Sequence, residues 1–248
     1  MQSPRTKLAL RVLLVLALMA GLVTVVTAQG DPAKEKLKAL TEQLKQVTAQ
    51  ELATGQTAET PKGRFFTGES ATKVENLHRQ AAKAYEATIA RPEVARGAAV
   101  ANIRSFTRSP NLGVEYKSTS KSSYNSNVIA EFYMVGKDYY EIDTRTNQIV
   151  QFGPAPLPRG EQPKQYDTTP RYSPQQLEVM ARTLIAERAG VDVSGLTPNH
   201  GNKGDVNFFF RWEDRTKHLE DGMYPFIQAG FTRGGDFLSY TNSLGMGR

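Results

Sequence analysis

The sequence predicts an α+β protein of two units, each a helix packed on an antiparallel β-meander, preceded by an N-terminal leader and a helix. Three observations predict it. Hydrophobic periodicity changes from helical to alternating after Leu112. A capped helix opening at Ser173 is followed by aromatic-rich alternating strands as far as Asn242. A proline-rich stretch separates these two runs. The expected boundaries are a leader over 1–28, a helix and linker over 29–68, a first α+β unit over 69–153, a linker over 154–171 and a second α+β unit over 172–248.

The leader is a targeting segment by composition. Arg5, Lys7 and Arg11 precede an uncharged, mostly apolar run from Val12 to Val26, and Val26-Thr27-Ala28 places small residues where a signal peptidase reads. The run is shorter than the ~20 residues of a comfortable membrane span. A cleaved signal peptide is therefore expected, with an uncleaved anchor as the alternative and the only membrane attachment. Either way the chain is exported to an extracytoplasmic location. The 31 basic and 25 acidic residues become 28 against 25 without the three leader cations, a net of +3. That mixed balance excludes the clustered basic footprint of nucleic-acid binding. With no cysteine, there is no disulfide, no thiol nucleophile and no thiolate zinc site.

Asp31-Pro32 is a helix start, with a side-chain acceptor followed by proline at the first helical position. Leu37, Leu40, Leu44 and Val47 form a narrow stripe behind it. This fits a helix packed on its own domain or a short coiled stalk. The Gly- and Thr-rich stretch from Ala53 to Gly68 reads as a linker. Ser70 to Ala90 is a second helix, with Val74, Leu77, Ala81, Tyr85 and Ile89 on one face and Pro92 as its stop. Glu93 to Phe106 fits helix or strand.

Val114, Tyr116 and Ser118 begin the alternation. Val128, Ala130, Phe132 and Met134 then alternate with Ile129, Glu131, Tyr133 and Val135. Gly136-Lys137-Asp138 turns into Tyr139–Asp143, and Asp143 to Asn147 turns again into Ile149, Val150 and Phe152. Gly153 to Arg171 holds five of the thirteen prolines, which excludes helix and central strand. It reads as a linker between units, or else as a long loop within one domain. Ser173-Pro174-Gln175-Gln176 is a capping box, Leu177, Met180, Ala181, Leu184 and Ile185 form one apolar face, and Gly190 ends the helix. Val206, Phe208, Phe210 and Trp212 then alternate with Asn207, Phe209, Arg211 and Glu213. Ile227, Ala229 and Phe231 mark the next strand. Arg233-Gly234-Gly235-Asp236 reads as a two-residue hairpin turn into Leu238 and Tyr240.

The strand-turn-strand Tyr139 to Val150 resembles the PepSY domain, whose signature is a strand, an Asp, two residues, Thr-Gly and a second strand; here Asn147 stands in place of the glycine. The segment from Tyr172-Ser173-Pro174 through Phe210-Arg211-Trp212-Glu213 and Pro225-Phe226-Ile227-Gln228 to Ser239-Tyr240-Thr241-Asn242 resembles the PepSY-like repeats of YcdB-type exported proteins. Together they cover Val114 to Asn242. The resemblance implies a helix-on-meander fold and an inhibitory or regulatory binding role toward an envelope or secreted protein such as a peptidase. It brings no catalytic residue and no cofactor.

The residues themselves bring none either. There is no Gly-x-Ser-x-Gly elbow, no HExxH, no EF-hand spacing, no Walker loop and no dinucleotide fingerprint. His218 with Glu220 and Asp221 is three adjacent polar residues without a second cluster, and no metal is assigned to it. His78 reads as solvated and His200 as part of a turn. The expected interaction surface is Phe209, Arg211, Glu213 and Arg215, where an aromatic lies beside charges on the strand face away from Trp212. The first expectation is thus a non-catalytic module that binds another extracytoplasmic protein. The alternatives are a small-ligand carrier, which needs a deep apolar pocket, and a hydrolase, which needs two converging carboxylates.

Overall fold

A computed structural model describes residues 31–60, 63–156, 160–203 and 206–247. The leader over 1–28 lies outside them. The chain forms two compact units, residues 1–90 and 91–248.

The described part of the first unit is a helical hairpin. Helix α1 (Pro32–Thr54) starts at Asp31, whose Oδ1 accepts from Ala33 N at 2.9 Å. Helix α2 (Gly68–Ile89) returns against it, and Leu44, Phe66, Val74, Leu77 and Ala81 pack together as their shared core. The segment expected to be a linker contains a short β-hairpin, β1 (Thr57–Thr60) with β2 (Gly63–Phe66). Phe66 is why this segment is ordered: its side chain is buried between the helices, which fixes the strand behind it. A clasp closes the helical corner. Ser70 Oγ donates to Glu51 Oε2 at 2.6 Å and accepts from Gln56 N at 2.8 Å, and Lys73 Nζ reaches Glu51 Oε1 at 2.7 Å.

The second unit is an α+β layer. The ambiguous Glu93–Phe106 stretch is helical: a 3-10 turn (Glu93–Arg96), then α3 (Gly97–Thr107). Ala99, Ile103 and Phe106, at helical spacing, are buried, whereas Val94 is exposed. Strands β3 (Glu115–Lys121), β4 (Ile129–Val135), β5 (Asp138–Asp143) and β6 (Ile149–Pro154) form the expected meander. Helix α4 (Pro174–Ala189) follows, then β7 (Thr197–Pro198), β8 (Gly201–Lys203), β9 (Asn207–Glu213), β10 (Phe226–Thr232) and β11 (Phe237–Asn242).

All nine of these strands lie in one antiparallel sheet, ordered β3-β4-β5-β6-β11-β10-β9-β7 with β8 also on β9. The strands of the two expected units therefore share a sheet, joined where Tyr240 pairs with Phe152 and Thr241 with Gln151. The helix expected to open the 69–153 unit, α2, instead belongs with α1 to the 1–90 unit, because its apolar face packs on Leu44. The two halves of the sheet also share a core. Ile103 and Phe106 of α3, Leu177 and Ile185 of α4, and Tyr133, Ile142, Phe152, Tyr240, Ile227 and Trp212 of the sheet belong to one buried cluster on one sheet face.

The proline-rich stretch is accordingly a strap within one unit. Lys137 Nζ donates to Gln162 O at 2.9 Å, and Lys164 Nζ reaches Asp138 Oδ2 at 2.9 Å. Farther on, Asp167 N donates to Asp236 Oδ2 at 2.7 Å, and the N–H groups of Arg171 and Tyr172 to Arg233 O. The strap thus ties the β4–β5 turn to the β10–β11 turn. It also explains both glycines there. A Cβ on Gly234 would lie 2.3 Å from Asp167 O, and one on Gly235, whose φ is +95°, would lie 2.6 Å from the Tyr172 ring. The β10–β11 connection is consequently a four-residue loop, 233–236, with a register shift at Gly230/Phe231, rather than the expected two-residue turn.

The capping box of α4 is formed: Ser173 Oγ accepts from Gln176 N, and Ser173 N donates to Gln176 Oε1 at 2.9 Å. Ser173→Ala should cost about 1 kcal/mol, a fall of roughly 2–4 °C in Tm for a chain of this size. A melting curve superimposable on wild type would remove the cap from the account.

Candidate functional site: the helix-free face of the sheet

Alternation decides which side chains reach each face. Helices α3 and α4 cover the face carrying Tyr133, Tyr140, Phe152, Tyr240, Ala229 and Phe210. The opposite face, which no helix of this unit covers, carries two rows that run across the strands. In the first, Phe209 pairs with Gly230 and Gly230 with Ser239; a Cβ on Gly153 would lie 3.7 Å from Ser239, and Gly153 pairs with Tyr139. In the second, Arg211 pairs with Gln228, Gln228 with Thr241, Thr241 with Gln151, Gln151 with Glu141 and Glu141 with Phe132.

The two rows have different characters. The first is a floor of glycine and serine between bulky ends. Phe209 lies across Gly230, where a Cβ would meet its ring at 2.9 Å, and Tyr139 stacks on Phe132 with ring centres 5.7 Å apart. The second is polar. The Arg211 guanidinium sits 3.8 Å over the Phe226 ring, and its Nε donates to Gln228 Oε1 at 2.9 Å. Both contacts hold a long side chain flat on the sheet.

At the Glu141 end the face is partly covered. The β3–β4 connection folds over it, anchored by the buried Glu141 carboxylate, which accepts from Ser122 Oγ (2.6 Å), Ser123 N (3.0 Å) and Ser123 Oγ (2.7 Å). Asn125 Nδ2 donates to Met246 O at 2.8 Å, and Tyr124 meets the Phe226 ring edge-on at 5.9 Å. Burial raises the Tyr124 hydroxyl pKa, against an opposing hydrogen bond with Thr241.

Of the four expected surface residues, the structure places Phe209 and Arg211 in adjacent rows of this face, both half-buried. Glu213 follows by register but is buried at the strand end, where Asn199 Nδ2 donates to it and Arg215 pairs with it at 3.4 Å. Arg215 lies in the β9–β10 connection, exposed, 5.6 Å from the Tyr224 ring.

The other face holds a buried ion pair whose carboxylate lies within the alternating run of β4. Glu131 shares its face with Tyr133 and is fully buried. Arg91 reaches it with Nε (3.0 Å) and Nη2 (2.6 Å), and Tyr133 Oη donates at 2.6 Å. A carboxylate among inward-facing apolar residues is itself the sequence signal, because burying one requires a cation. Arg91 Nη1 also bonds Thr144 O and Asn147 Oδ1, and Asn102 Nδ2 donates to Asn147 O at 2.6 Å. The Asp143–Asn147 turn, with Asn147 at φ +58°, is thereby fixed to α3 and to Arg91.

Glu131 pairs with Ile142, so Glu131 and Glu141 point to opposite faces and cannot converge on one substrate. Among the described residues, no three His, Asp or Glu side chains gather where they could hold a metal ion. His218 packs on Tyr224 with ring centres 4.9 Å apart. Glu220 accepts from Ser126 N and Asn127 Nδ2, securing the same β3–β4 connection. His200 is edge-on to Trp212 and accepts from Arg211 N at 3.1 Å. No helix among the described residues is long and apolar enough to cross a membrane.

No family model matches the chain. No curated protein matches it either. Among solved structures it is similar to the Bacillus megaterium YpeB C-terminal domain, at 12% identity and a TM-score of 0.38, over 58% of this chain and 61% of that one. The match thus spans less than two thirds of that domain's length.

Proposed function

We propose that the chain is an exported, non-catalytic PepSY-like module that binds or regulates another extracytoplasmic protein, such as a peptidase. The observation that carries this reading is the asymmetry of the sheet. One face is buried under α3 and α4, while the other keeps Phe209, Arg211 and Tyr139 half-exposed around a glycine–serine floor. Rigid aromatics and a flattened arginine on a strand scaffold are side chains over-represented at the centres of protein interfaces. Export rests on the Arg5–Ala28 leader pattern.

The competing readings find less support. A carrier needs a pocket of about 300–1,000 Å³ lined by apolar groups, whereas the cavities that the described residues enclose beside β6 and β11 measure about 160 and 110 Å³. A space of about 870 Å³ in the first unit is an open groove beside the Glu51–Ser70–Lys73 clasp, and charged and amide side chains line much of it. Hydrolysis by paired carboxylates needs an open cleft, and both Glu131 and Glu141 are fully buried with internal donors.

Site-specific photo-crosslinking tests the proposal. A photoreactive residue at Phe209 or Tyr139 should yield one discrete adduct in envelope extract. The same probe at Val179, exposed on α4, should yield none. Equal labelling at all three positions, or none at the two sheet positions, would count against the sheet face as the binding surface.

A further inference from the structure

Between α3, α4 and the β6–β11 seam lies a cavity of about 110 Å³ whose walls are unusually polar for a space beside a hydrophobic core. Asn102 and Phe106 come from α3, Arg188 from α4, Gln148 from the residue before β6, and Tyr240 and Asn242 from β11. Arg188 is the informative member. It is half-buried beside the rings of Phe106 (5.7 Å) and Phe237 (6.0 Å), and its Nη1 donates to Phe106 O at 2.9 Å. Among the described residues no carboxylate lies within ion-pair distance of it, because the adjacent Glu187 pairs with Arg108. Burial, together with the nearby Arg108 charge, pulls the Arg188 guanidinium below its usual pKa.

The donor count is lopsided. A guanidinium presents five N–H groups, and one of Arg188's is used within the protein. Asn242 accepts through Oδ1 from Leu244 N at 3.2 Å and shares a side-chain hydrogen bond with the Tyr240 hydroxyl, so its two-proton amide retains at most one N–H for the cavity. Asn102 already donates to Asn147 O. The α4 carbonyl terminus offsets part of the arginine charge, and water can occupy such a space, but neither supplies the paired acceptor that a guanidinium fork matches best.

We propose that this cavity is a binding site for a small monocarboxylate, held by the free edge of Arg188 and by the Asn242 amide. A single cation and a volume equal to about three or four waters fit a planar, singly charged group of acetate size better than a phosphate. Gln148, which is exposed, stands at the mouth. The site is independent of the sheet face proposed for protein binding.

The test is an NMR titration of the mature chain with sodium acetate, with acetamide, and with sodium chloride at matched ionic strength. Saturable shifts at the Arg188 Nε–H and the Asn242 side-chain amide are expected with acetate alone. Arg188→Gln should weaken the acetate response at least about tenfold, and Arg79→Gln, which removes an exposed cation of α2, should leave it intact. Asn242→Leu removes the amide and narrows the cavity while keeping the arginine, and should also abolish the response, so a poorly folding Arg188→Gln would not leave the question open. Identical shifts in chloride and acetate, or an acetate response that survives Asn242→Leu unchanged, would overturn the proposal.

Discussion

Arg91→Ala should lower the stability of the 91–248 unit by about 3 kcal/mol, the low end of the range for removing one partner of a buried ion pair. The low end applies because the Arg91 side chain is 19% exposed, while that of Glu131 is at 0%. The loss has two sources. Glu131 keeps only the Tyr133 hydroxyl and Arg96, whose Nε is 3.6 Å away and makes no hydrogen bond. The Asp143–Asn147 turn loses the two bonds Arg91 makes to Thr144 O and Asn147 Oδ1. For a chain of this size that corresponds to a fall of roughly 6–12 °C in Tm. Adding Glu131→Gln to Arg91→Ala should restore part of it, because the uncompensated charge is gone. A single Arg91→Ala variant that melts within a degree of wild type would show that the pair does not hold this unit together.

The same pair sets an acid limit. Burial alone would raise the Glu131 carboxyl pKa, but the Arg91 and Tyr133 hydrogen bonds and the Arg91 and Arg96 charges outweigh it and hold it below the usual carboxylate value. Since the folded value is the lower one, the contribution is fully present above the unfolded value of about 4.3 and is lost as pH falls through the folded one. Denaturant melts between pH 7 and pH 3 should therefore show a steeper acid loss for wild type than for Glu131→Gln.

Phe152→Ala should cost about 3–5 kcal/mol, and the 91–248 unit should still unfold in a single transition. Phe152 lies on the seam between the two halves of the sheet, register-paired with Tyr140 on one side and Tyr240 on the other. Its ring centre is 4.9 Å from that of Tyr140 and 5.0 Å from that of Phe237, so truncation removes contacts from both halves at once. Calorimetry with two resolved transitions in this unit, only one of them shifted, would mean that the halves on either side of the strap fold separately.

That seam shows why local pattern and tertiary structure diverge. Alternation in Ile149–Phe152 and in Leu238–Tyr240 marks two strands, and each half contains a helix able to cover its own sheet. Nothing in either run says that β6 and β11 are neighbours, because strand pairing is non-local and each strand has two edges. The strap was misleading for a related reason. Proline density excludes helix and central strand, which is equally true of a linker and of a loop held by distant carboxylates. Asp138 and Asp236, which hold it, are ordinary turn residues until the fold brings them alongside.

The candidate face was partly legible. Once Trp212 is assigned inward, period-two geometry places Phe209 and Arg211 on the other side, and they are there. Glu213 obeys the same parity but lies at the strand end, where Asn199 and Arg215 occupy it. Gly230 and Ser239 were invisible as site residues, since a small side chain carries no chemistry of its own and matters only because Phe209 lies across it.

The sequence by itself determined α1, α2 and α4 with the caps of α1 and α4, the strands β3 to β6 and β9 to β11, the turn at Asn147 and the absence of a cysteine-dependent or motif-based chemistry, because each follows from residues within a few positions of one another. The tertiary structure alone decided that nine strands form one sheet, that Arg91 and Glu131 neutralise each other across forty residues, that Arg188 borders a polar cavity, and that both helices of the 91–248 unit lie on one face of its sheet. These depend on which elements become neighbours, and that is settled by how the whole chain buries its apolar surface.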